Sequence, residues 1–348
     1  MPPGRSRRAN AVHSEFALIR RLRAQAAQPD PQVIKGIGDD TAVIKTSSTE
    51  WTLITTDLLA EGVHFDPATS SFRDIGYRAA IANLSDIAAM GGTPRFMLVS
   101  IAIPPTCSQA QIEQLYRGMT QAGAPYHVRL IGGDTSASKT GLFLNITLTG
   151  VVKPRQALLR SAARVGDLIY VTGTLGDSRA GLDLLTSRRR PKLRPIHTRF
   201  LLARHHRPSA RIAEGLWLVK QGLAGAAIDL SDGLTGDLRH ICEESGVNAI
   251  IDFDAVPVAA ETSLVTDNIE DAFQFAIKGG EDFELLLTAD PENEPELMKA
   301  AIECNLRLSP IGEIIAREND TAAPRIFVRR HGRITPIAAT GYNHFRKV

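Results

Sequence analysis

The chain has 348 residues, of which 43% are hydrophobic and 22% charged, and its formal net charge is +2. This length exceeds one typical hydrophobic core and predicts two domains. The small net charge argues against nucleic acid or a membrane as partner, and no apolar run approaches the roughly 18 residues of a membrane span. Three distant cysteines without a C-x-x-C pair argue against a disulfide framework or structural zinc and favour the reducing cytoplasm.

Predicted strands and helices alternate through the first part of the chain. They are a helix after Ser14, two strands around a Gly-rich turn within 32–44, a strand over 51–56, a helix over 72–90, a strand over 96–103, a helix from about 108 to 122, and strands over 128–131 and 142–152. Ser108 and Gln111 match a capping box at the start of the third helix. The Gly91-Gly92 pair is a typical end signal for the second helix.

A second α/β segment follows Lys153-Pro154, which interrupts the pattern. Its predicted elements are a strand over 168–172, a helix from about 177, a helix near 210–220, a strand ending at Asp229, a helix over 234–245, a strand over 248–253 and an apolar segment after Gly279-Gly280. The basic stretch 187–195 is interpreted as a solvated connection. We therefore predict an α/β or α+β fold, with a flexible tail over 1–13 and domains over 14–152 and 153–348.

Aspartates recur where apolar segments end. They are Asp39, Asp40, Asp57, Asp86, Asp134, Asp229 and Asp232. Carboxylates without neighbouring Cys or His favour Mg²⁺ or Ca²⁺ over zinc, and dispersed Asp residues suit several Mg²⁺ ions around a polyphosphate. Each Asp taken alone is more typical of a turn or a helix cap than of a metal ligand.

Asp86 has a different context, because it lies on a helix. Ile75, Ala79, Ala82 and Asp86 are spaced at i, i+4, i+7 and i+11, so a small apolar face carries one carboxylate. The alternative is a surface Asp near the end of the helix, which the helix dipole disfavours.

Glycine pairs supply candidate phosphate contacts, although each is also typical of a tight turn. They are Gly36/Gly38, Gly132/Gly133, Gly173/Gly176 and Gly279/Gly280. The standard P-loop, dinucleotide-binding, zincin and nucleophile-elbow motifs are absent from the sequence. The corresponding classes of enzyme therefore become poor candidates.

Eight motifs in order resemble one known family. They are GIGDDTAVI, TTDLLAEGVHF, NLSDIAAMGGTP, LIGGDTS, RSAARVGDLIYVTGTLGDS, IDLSDGL, GGEDFELL and the final GYNHF, spanning roughly residues 14–345. This ordered set resembles the thiamine-monophosphate kinases, in the superfamily of aminoimidazole ribonucleotide synthetase, selenophosphate synthetase and the hydrogenase maturation protein E. The resemblance implies transfer of the ATP γ-phosphate to thiamine monophosphate. It also implies a homodimer joined through the sheets of the N-terminal domains, with the C-terminal domain completing the site.

The resemblance also implies roles for individual residues. Asp40, Thr55, Thr56, Asp57, Asp86, Asp134, Asp229 and Asp232 match metal-binding positions for several Mg²⁺ ions. Gly133, Asp134, Arg160 and Ser231 match nucleotide positions, while His64, Glu281 and Tyr342 match substrate positions. Without it, His64 is a loop histidine, Arg160 a surface arginine and Tyr342 a packing residue of the tail.

The chain departs from the family pattern at three places. His13-Ser14 precede Glu15 where the family often has Gly, Val63 replaces a common Asn, and Ala162 replaces Gly. These departures remove no candidate metal ligand. They concern the shape of the N-terminal arm and of the loop that carries Arg160.

The mechanism expected is direct in-line transfer without a general base or a phosphoenzyme. A phosphomonoester has its second pKa near 6, so its oxygen is already a nucleophile at neutral pH. Two alternatives stay open: another ATP-using enzyme of the superfamily, or a non-catalytic protein that binds nucleotide or thiamine phosphate. The first is weakened because Cys107 is the first cysteine and the chain ends HFRKV, without the reactive Cys of two relatives.

Overall fold

The computed structural model describes residues 15–26, 28–187, 191–303, 305–317 and 323–338. The predicted tail, Ser14, Tyr342 and residues 188–190 of the basic stretch lie outside the described residues. Within the described ranges, the strands form two mixed sheets and helices pack against them. This arrangement confirms the predicted two-domain α/β class. None of the helices in these ranges is both long and apolar enough to cross a membrane.

The N-terminal part builds a six-stranded sheet with helices on one face. Its elements are α1 (Glu15–Ala26), β1 (Val33–Lys35), β2 (Ala42–Lys45), β3 (Trp51–Ala60), α2 (Phe72–Ala89), β4 (Thr93–Ile103), α3 (Gln109–Gly123), β5 (Arg129–Ala137) and β6 (Phe143–Val152). The strand order is β1-β2-β3-β6-β4-β5, and only β4 and β5 pair in parallel. Strand β3 continues past its predicted end, so Asp57 lies inside it.

The two faces of this sheet differ in burial, because successive side chains of a strand point to opposite faces. Leu53, Val99 and Ile146 are buried on the helix face. Leu58 and Leu98 lie on the other face, where they are 58% and 37% exposed. We call this second surface the open face.

Strand β5 does not end at Ile131 as predicted, but runs through Gly132, Gly133 and Asp134. A Cβ on Gly133 would lie 1.8 Å from the carbonyl oxygen of Val99 on β4, so the close pairing of the two strands requires glycine. The glycine pair therefore extends a strand and forms no turn. Strand β5 is an edge strand with every residue exposed.

The C-terminal part builds a seven-stranded sheet in the order β13-β12-β9-β11-β7-β10-β8. Its elements are β7 (Leu168–Thr172), α4 (Asp177–Thr186), α5 (Pro195–His206), α6 (Ile212–Gln221), β8 (Ala227–Asp229), α7 (Leu234–Ser245), β9 (Asn248–Asp252), α8 (Ala260–Ser263), α9 (Ile269–Lys278), β10 (Leu285–Ala289), α10 (Glu294–Glu303), β11 (Leu308–Ile315), β12 (Ile326–Arg330) and β13 (Arg333–Ile337). Helix α5 and the elements after β9, apart from β10, had no predicted counterpart. Pro195 starts α5, because the first helical position needs no N–H donor.

Helix α2 lies between the two sheets and packs against elements of both parts. From the N-terminal part of the chain, α3, β3 and β6 contact α2. From the C-terminal part, α5, α6 and β8 contact it. Helix α6 approaches so closely that a Cβ on Gly215 would lie 2.1 Å from the carbonyl oxygen of Ala88. One hydrophobic core consequently spans both parts, from Leu53 on β3 to Leu287 on β10.

Candidate active site

Three predicted metal ligands converge where the two parts meet. Asp40 follows the Gly-rich turn before β2, Asp86 is near the end of α2, and Asp229 ends β8. Each offers a carboxylate oxygen, and these three oxygens all lie within 4.8 Å of one another. We call these residues the acidic cluster.

Like charges lie close together in the acidic cluster, and Arg160 neutralises part of that charge. Burial raises the pKa of Asp86 well above its ordinary value, and the neighbouring carboxylates of Asp57 and Asp229 raise it further. Burial, followed by the charge of Asp40, likewise raises the pKa of Asp229. Among the described residues, the buried Oδ2 atom of Asp229 has no hydrogen-bond partner. A hard divalent cation with oxygen ligands fits this donor set.

Arg160 supplies the positive charge nearest to the cluster. Its Nη2 atom donates to Oδ1 of Asp40 at 2.6 Å, and its Nε atom donates to Oδ2 at 3.4 Å. The neighbouring Asp39 accepts the backbone N–H of Arg160 at 3.3 Å and contacts Lys35 Nζ at 3.4 Å. Asp39 therefore anchors the arginine loop, while Asp40 faces the cluster.

Further carboxylates extend the cluster toward a cavity. Burial raises the pKa of Asp57 to about 6, and the charges of Asp232 and Asp40 contribute to the shift. Thr55, two residues earlier on β3, donates its hydroxyl to Asp86. Sequence analysis missed Asp237 on α7, whose Oδ2 accepts the backbone N–H of Asp232 at 3.1 Å. A third carboxylate in IDLSDGLTGD was its only signal.

A cavity of about 800 Å³ opens beside these residues. Its lining includes Thr56, Asp57, His64, Ser231, Asp232 and Glu281, all predicted site residues, together with Arg78, Ser178, Arg179, His205 and Lys278. Asp57 and Asp232 therefore border the cavity on the side of the acidic cluster. Residues predicted to bind metal, nucleotide and substrate therefore line the same cavity.

His64 lies in the loop after β3. Its Nδ1 atom accepts the backbone N–H of Ala60 at 3.0 Å, so the neutral ring carries its proton on Nε2. Its carbonyl oxygen accepts Nη2 of Arg78 at 2.6 Å. Both contacts fix the loop and the orientation of the imidazole at the cavity wall.

Glu281 lies in a tightly held segment before β10. Its φ is +63°, a left-handed conformation that is uncommon for residues other than glycine. The segment is held because Glu281 N–H donates to the carbonyl of Ser231 at 2.8 Å, and Phe283 N–H donates to that of Leu230 at 2.9 Å. The substrate candidate Glu281 is thereby attached to the strand end that carries the nucleotide candidate Ser231.

Sequence analysis missed several polar residues that line the cavity, and Arg78, Ser178 and His205 are among the buried ones. Arg78 on α2 is 4% exposed and His205 on α5 is 3% exposed, and Ser178 on α4 is buried as well. A charge within the apolar pattern of α2, eight residues before Asp86, was the available signal for Arg78. His205 had none, because α5 itself was not predicted.

Two predicted ligands lie on the open face, and one of them, Thr56, also borders the cavity. Thr56 is on the open face, where its hydroxyl contacts Thr147 and Asn145. Asp134 on β5 pairs in register with Ser100, and both point to that same face. Asp134 is exposed and does not line the cavity. Within one chain the fold therefore separates Asp134 from the acidic cluster, and its role stays a prediction.

The two-domain fold with an acidic cluster in the cleft defines a class of protein. Residues 38–152 match the family model described as AIR synthase related protein, N-terminal domain, and residues 164–323 match the corresponding C-terminal domain. These models place the chain among the AIR synthase related proteins.

Full-length relatives narrow the family further. The chain is 34% identical to the thiamine-monophosphate kinase of Bacillus subtilis, covering 95% of this chain and 99% of that one. It is 37% identical to the thiamine-monophosphate kinase of Haemophilus influenzae, with 96% and 98% covered. A solved structure described as AaThiL complexed with AMPPCP and TMP is 32% identical, with a TM-score of 0.80 and 95% and 97% covered. The chain belongs to the thiamine-monophosphate kinase family.

Proposed function

We propose that this chain transfers the γ-phosphate of ATP to thiamine monophosphate, giving thiamine diphosphate and ADP. The carrying observation is that Asp57 and Asp232 join the acidic cluster to a cavity lined by His64 and Glu281. The names of the relatives and the AMPPCP and TMP of the similar structure support the same reaction.

The acceptor needs no general base. A phosphomonoester is mostly deprotonated at neutral pH, so its oxygen can attack directly. Its approach to ATP brings about six formal negative charges together. The residues of the site therefore act by positioning the two substrates and by organising positive charge around them.

We propose that Asp40, Asp86 and Asp229 hold Mg²⁺, with Asp57, Asp232 and Thr55 beside them and Thr56 at the rim. Bound Mg²⁺ neutralises phosphate charge and orients the phosphate oxygens. Arg160, already paired with Asp40, contributes to nucleotide binding beside Ser231. The proposed contact of Gly133 with the nucleotide is restricted to its backbone, since glycine is needed there for strand pairing.

The acceptor occupies the side of the cavity formed by His64 and Glu281, and Tyr342 stays a predicted third contact outside the described residues. Because no proton must be removed, we expect Glu281→Gln to raise KM for thiamine monophosphate more than it lowers kcat. A larger fall in kcat, with KM unchanged, would reinstate Glu281 as a base.

The test of the function is ADP formation by the purified chain, with and without thiamine monophosphate and with and without Mg²⁺. We expect ADP only when all components are present, with stoichiometric thiamine diphosphate. ADP formation that ignores the acceptor would point to another ATP-using enzyme. Binding of both ligands without turnover would identify a non-catalytic protein, and a phosphorylated Asp or His during turnover would exclude direct transfer.

We also propose that two chains form a homodimer through the open face. Leu98, Leu130 and Ile131 are exposed hydrophobic residues at or near the β5 edge, and exposed apolar patches on edge strands favour association. Sedimentation should show a dimer for the native chain and a monomer for Leu98→Asp. The control is Ile302→Asp on α10, whose residue is 76% exposed on another surface, and which should stay dimeric.

Dimerisation would give Asp134 a route to the metal site. Strand β5 is three strand positions from β3, or about 14 Å, so Thr56 and Asp134 of one chain cannot share an ion. We propose that Asp134 reaches the site of the partner subunit. Mixed dimers of Asp134→Asn and Asp229→Asn chains would then contain one intact site, restoring about a quarter of native activity. No recovery on mixing would show that both residues serve the same chain's site.

Two further proposals concern the domain boundaries and the cellular compartment. We propose domains over 14–152 and 153–348, after a tail over 1–13, because β6 ends at Val152 and β7 opens a separate sheet. We also propose a cytoplasmic setting, supported by the unpaired thiols of Cys107 and Cys242 and by the use of ATP. Limited proteolysis between β6 and β7 tests the domain boundary.

A further inference from the structure

Arg78 occupies an unusual position for a cation. It lies on α2, is 4% exposed, and lines the cavity two helical turns before Asp86. A buried guanidinium is expensive unless partners satisfy its charge and its donors. The partners it has are therefore informative about why it is there.

Those partners come from three separate segments. Nη2 donates to the carbonyl oxygen of His64 at 2.6 Å, and Nη1 contacts Oε2 of Glu281 at 3.2 Å and Nε2 of His205 at 2.9 Å. His64 and Glu281 are the two described residues assigned to the acceptor. One side chain from α2 thus joins both, although they lie in different parts of the fold.

His205 makes this arrangement rigid. Because a guanidinium only donates, Nε2 of His205 accepts from Arg78, and the ring proton lies on Nδ1, which is 3.1 Å from the Ser178 hydroxyl. His205 therefore serves as a neutral, buried acceptor that fixes Arg78 from the side of α5. Arg78 has little freedom to face anything other than Glu281 and the His64 loop.

The backbone conformation of Glu281 is a second sign that this residue is held in place. A left-handed conformation is unfavourable for a residue other than glycine and persists only where its surroundings enforce it. The side chain of Glu281 is 32% exposed at the cavity, and its Oε2 atom lies 3.2 Å from Nη1 of Arg78. Because Oε2 of Glu281 contacts the guanidinium, the orientation of the carboxylate is fixed, and Oε1 remains as the acceptor for a substrate group.

We propose that Arg78 is a positioning residue for the acceptor substrate: it aligns the Glu281 carboxylate and the His64 loop for the acceptor and does not itself contact ATP. The proposal rests on the proposed function and adds a specificity role to the same site. Arg78 acts through Glu281 and the His64 loop, so removing Arg78 or Glu281 should weaken the same step, binding of the acceptor.

The test measures KM for both substrates in Arg78→Gln and Arg78→Lys. A hydrogen bond to a charged group is worth about 1.5–3 kcal/mol, so Arg78→Gln should raise KM for thiamine monophosphate at least about tenfold. KM for ATP should stay within about twofold of native. Arg78→Lys should recover part of the loss, because lysine keeps the charge but lacks the planar fork that reaches several partners. Arg73→Gln on the exposed side of α2, where Arg73 contacts Gln121, is the matched control and should leave both KM values unchanged.

A double-mutant cycle separates positioning from a general structural role. In the Glu281→Gln background, Arg78→Gln should raise KM by a clearly smaller factor than in the native background, since only the part of its effect that passes through the His64 loop remains. Independent, multiplying effects would overturn the proposal, as would equal increases in both KM values or an unchanged KM for the acceptor. Native protein that makes no ADP would instead refute the proposed function, whereas active native protein with an unaffected Arg78→Gln variant would refute this inference alone.

Discussion

At the residue scale, the acidic cluster illustrates a conflict between stability and function. Asp229 is buried and Asp86 half-buried beside other carboxylates, and both have pKa values raised well above normal. Burial of like charges destabilises the folded chain unless a cation is bound. A residue that served only as a turn or a cap would not show this cost.

We expect Asp229→Asn to lower kcat at least about a hundredfold, because loss of a ligand removes several kcal/mol of charge stabilisation. Its free energy of unfolding without Mg²⁺ should be unchanged or higher, since one buried charge disappears. Steady-state kinetics and urea unfolding measure the two effects. Asp254→Asn, at an exposed position after β9, is the control and should change neither quantity. Lower stability with activity retained per folded molecule would instead support the turn interpretation.

His205 makes a prediction about pH. Burial, reinforced by the charge of Arg78, lowers the pKa of His205 to about 3. Between pH 6.5 and about 3, the unfolded chain binds a proton at this histidine and the folded chain does not. Stability due to His205 is therefore complete above pH 6.5 and falls with decreasing pH, by at most about 1.4 kcal/mol per pH unit.

Replacing His205 by Gln should flatten the dependence of the free energy of unfolding on pH between 6.5 and 4.5. Urea unfolding at several pH values measures this slope, which is separate from any constant loss of packing. His331→Asn, at an exposed turn position, should leave the slope unchanged. An equal slope in the native chain and in His205→Gln would show that His205 is protonated in the folded protein.

At the element scale, α2 organises the site. Arg78, Ala82 and Asp86 are spaced at i, i+4 and i+8, so one face of the helix runs about 12 Å from the acceptor side to the acidic cluster. The position of this helix depends on close packing against α3. The two helices approach most closely at glycines, Gly76 on α2 and Gly118 on α3.

Gly118 on α3 gives the test of this packing. A Cβ there would lie 1.9 Å from the carbonyl oxygen of Arg73 and 2.7 Å from the N atom of Tyr77, both backbone atoms of α2. Gly118→Ala should force the helices apart and lower the free energy of unfolding by about 1–3 kcal/mol, despite the better helix propensity of alanine. Thermal or urea unfolding measures the loss. Gly36→Ala, whose nearest contact would be an ordinary 3.8 Å, should be nearly neutral; a stabilised Gly118→Ala would contradict the observed spacing.

At the scale of the whole molecule, the two sheets share one core. The buried cluster that contains Leu53 and Leu148 of the N-terminal sheet continues through Leu218 of α6 to Leu285 of β10. Tyr126 adds a polar contact, since its hydroxyl donates to the carbonyl of Ala210 at 3.0 Å. The site at the junction therefore depends on the folding of both parts.

We expect the two parts to unfold in one transition. Trp51 reports on β3 and Trp217 on α6, so Trp51→Phe and Trp217→Phe each leave one fluorescent probe. In each variant, the urea midpoint measured by tryptophan fluorescence should equal the midpoint measured by circular dichroism, which follows the loss of total helix. Two separated transitions would mean that the shared core does not couple the sheets. The Trp217 change should be mild, because among the described residues its Nε1 has no hydrogen-bond partner.

The sequence by itself determined the local elements with strong punctuation. Helix α3 carries the predicted capping box at Ser108, and α7 has its predicted bounds, because caps and apolar periodicity act over a few residues. Its ordered motifs also identified the family, and they selected Asp40, Asp86 and Asp229, which the structure brings together. Elements without such signals, including α5, were missed, and β5 was predicted to end at Ile131, before its glycines, because a strand contact and a turn both require glycine.

The tertiary structure alone decided which of these residues meet. Sequence spacing could not show that Asp40, Asp86 and Asp229 share one point while Asp134 lies across the sheet, since strand order sets those distances. Nor could it reveal Arg78, whose importance comes from partners at His64, His205 and Glu281. Local interactions select the elements, but long-range packing places their charges, and burial there turns scattered polar residues into a site.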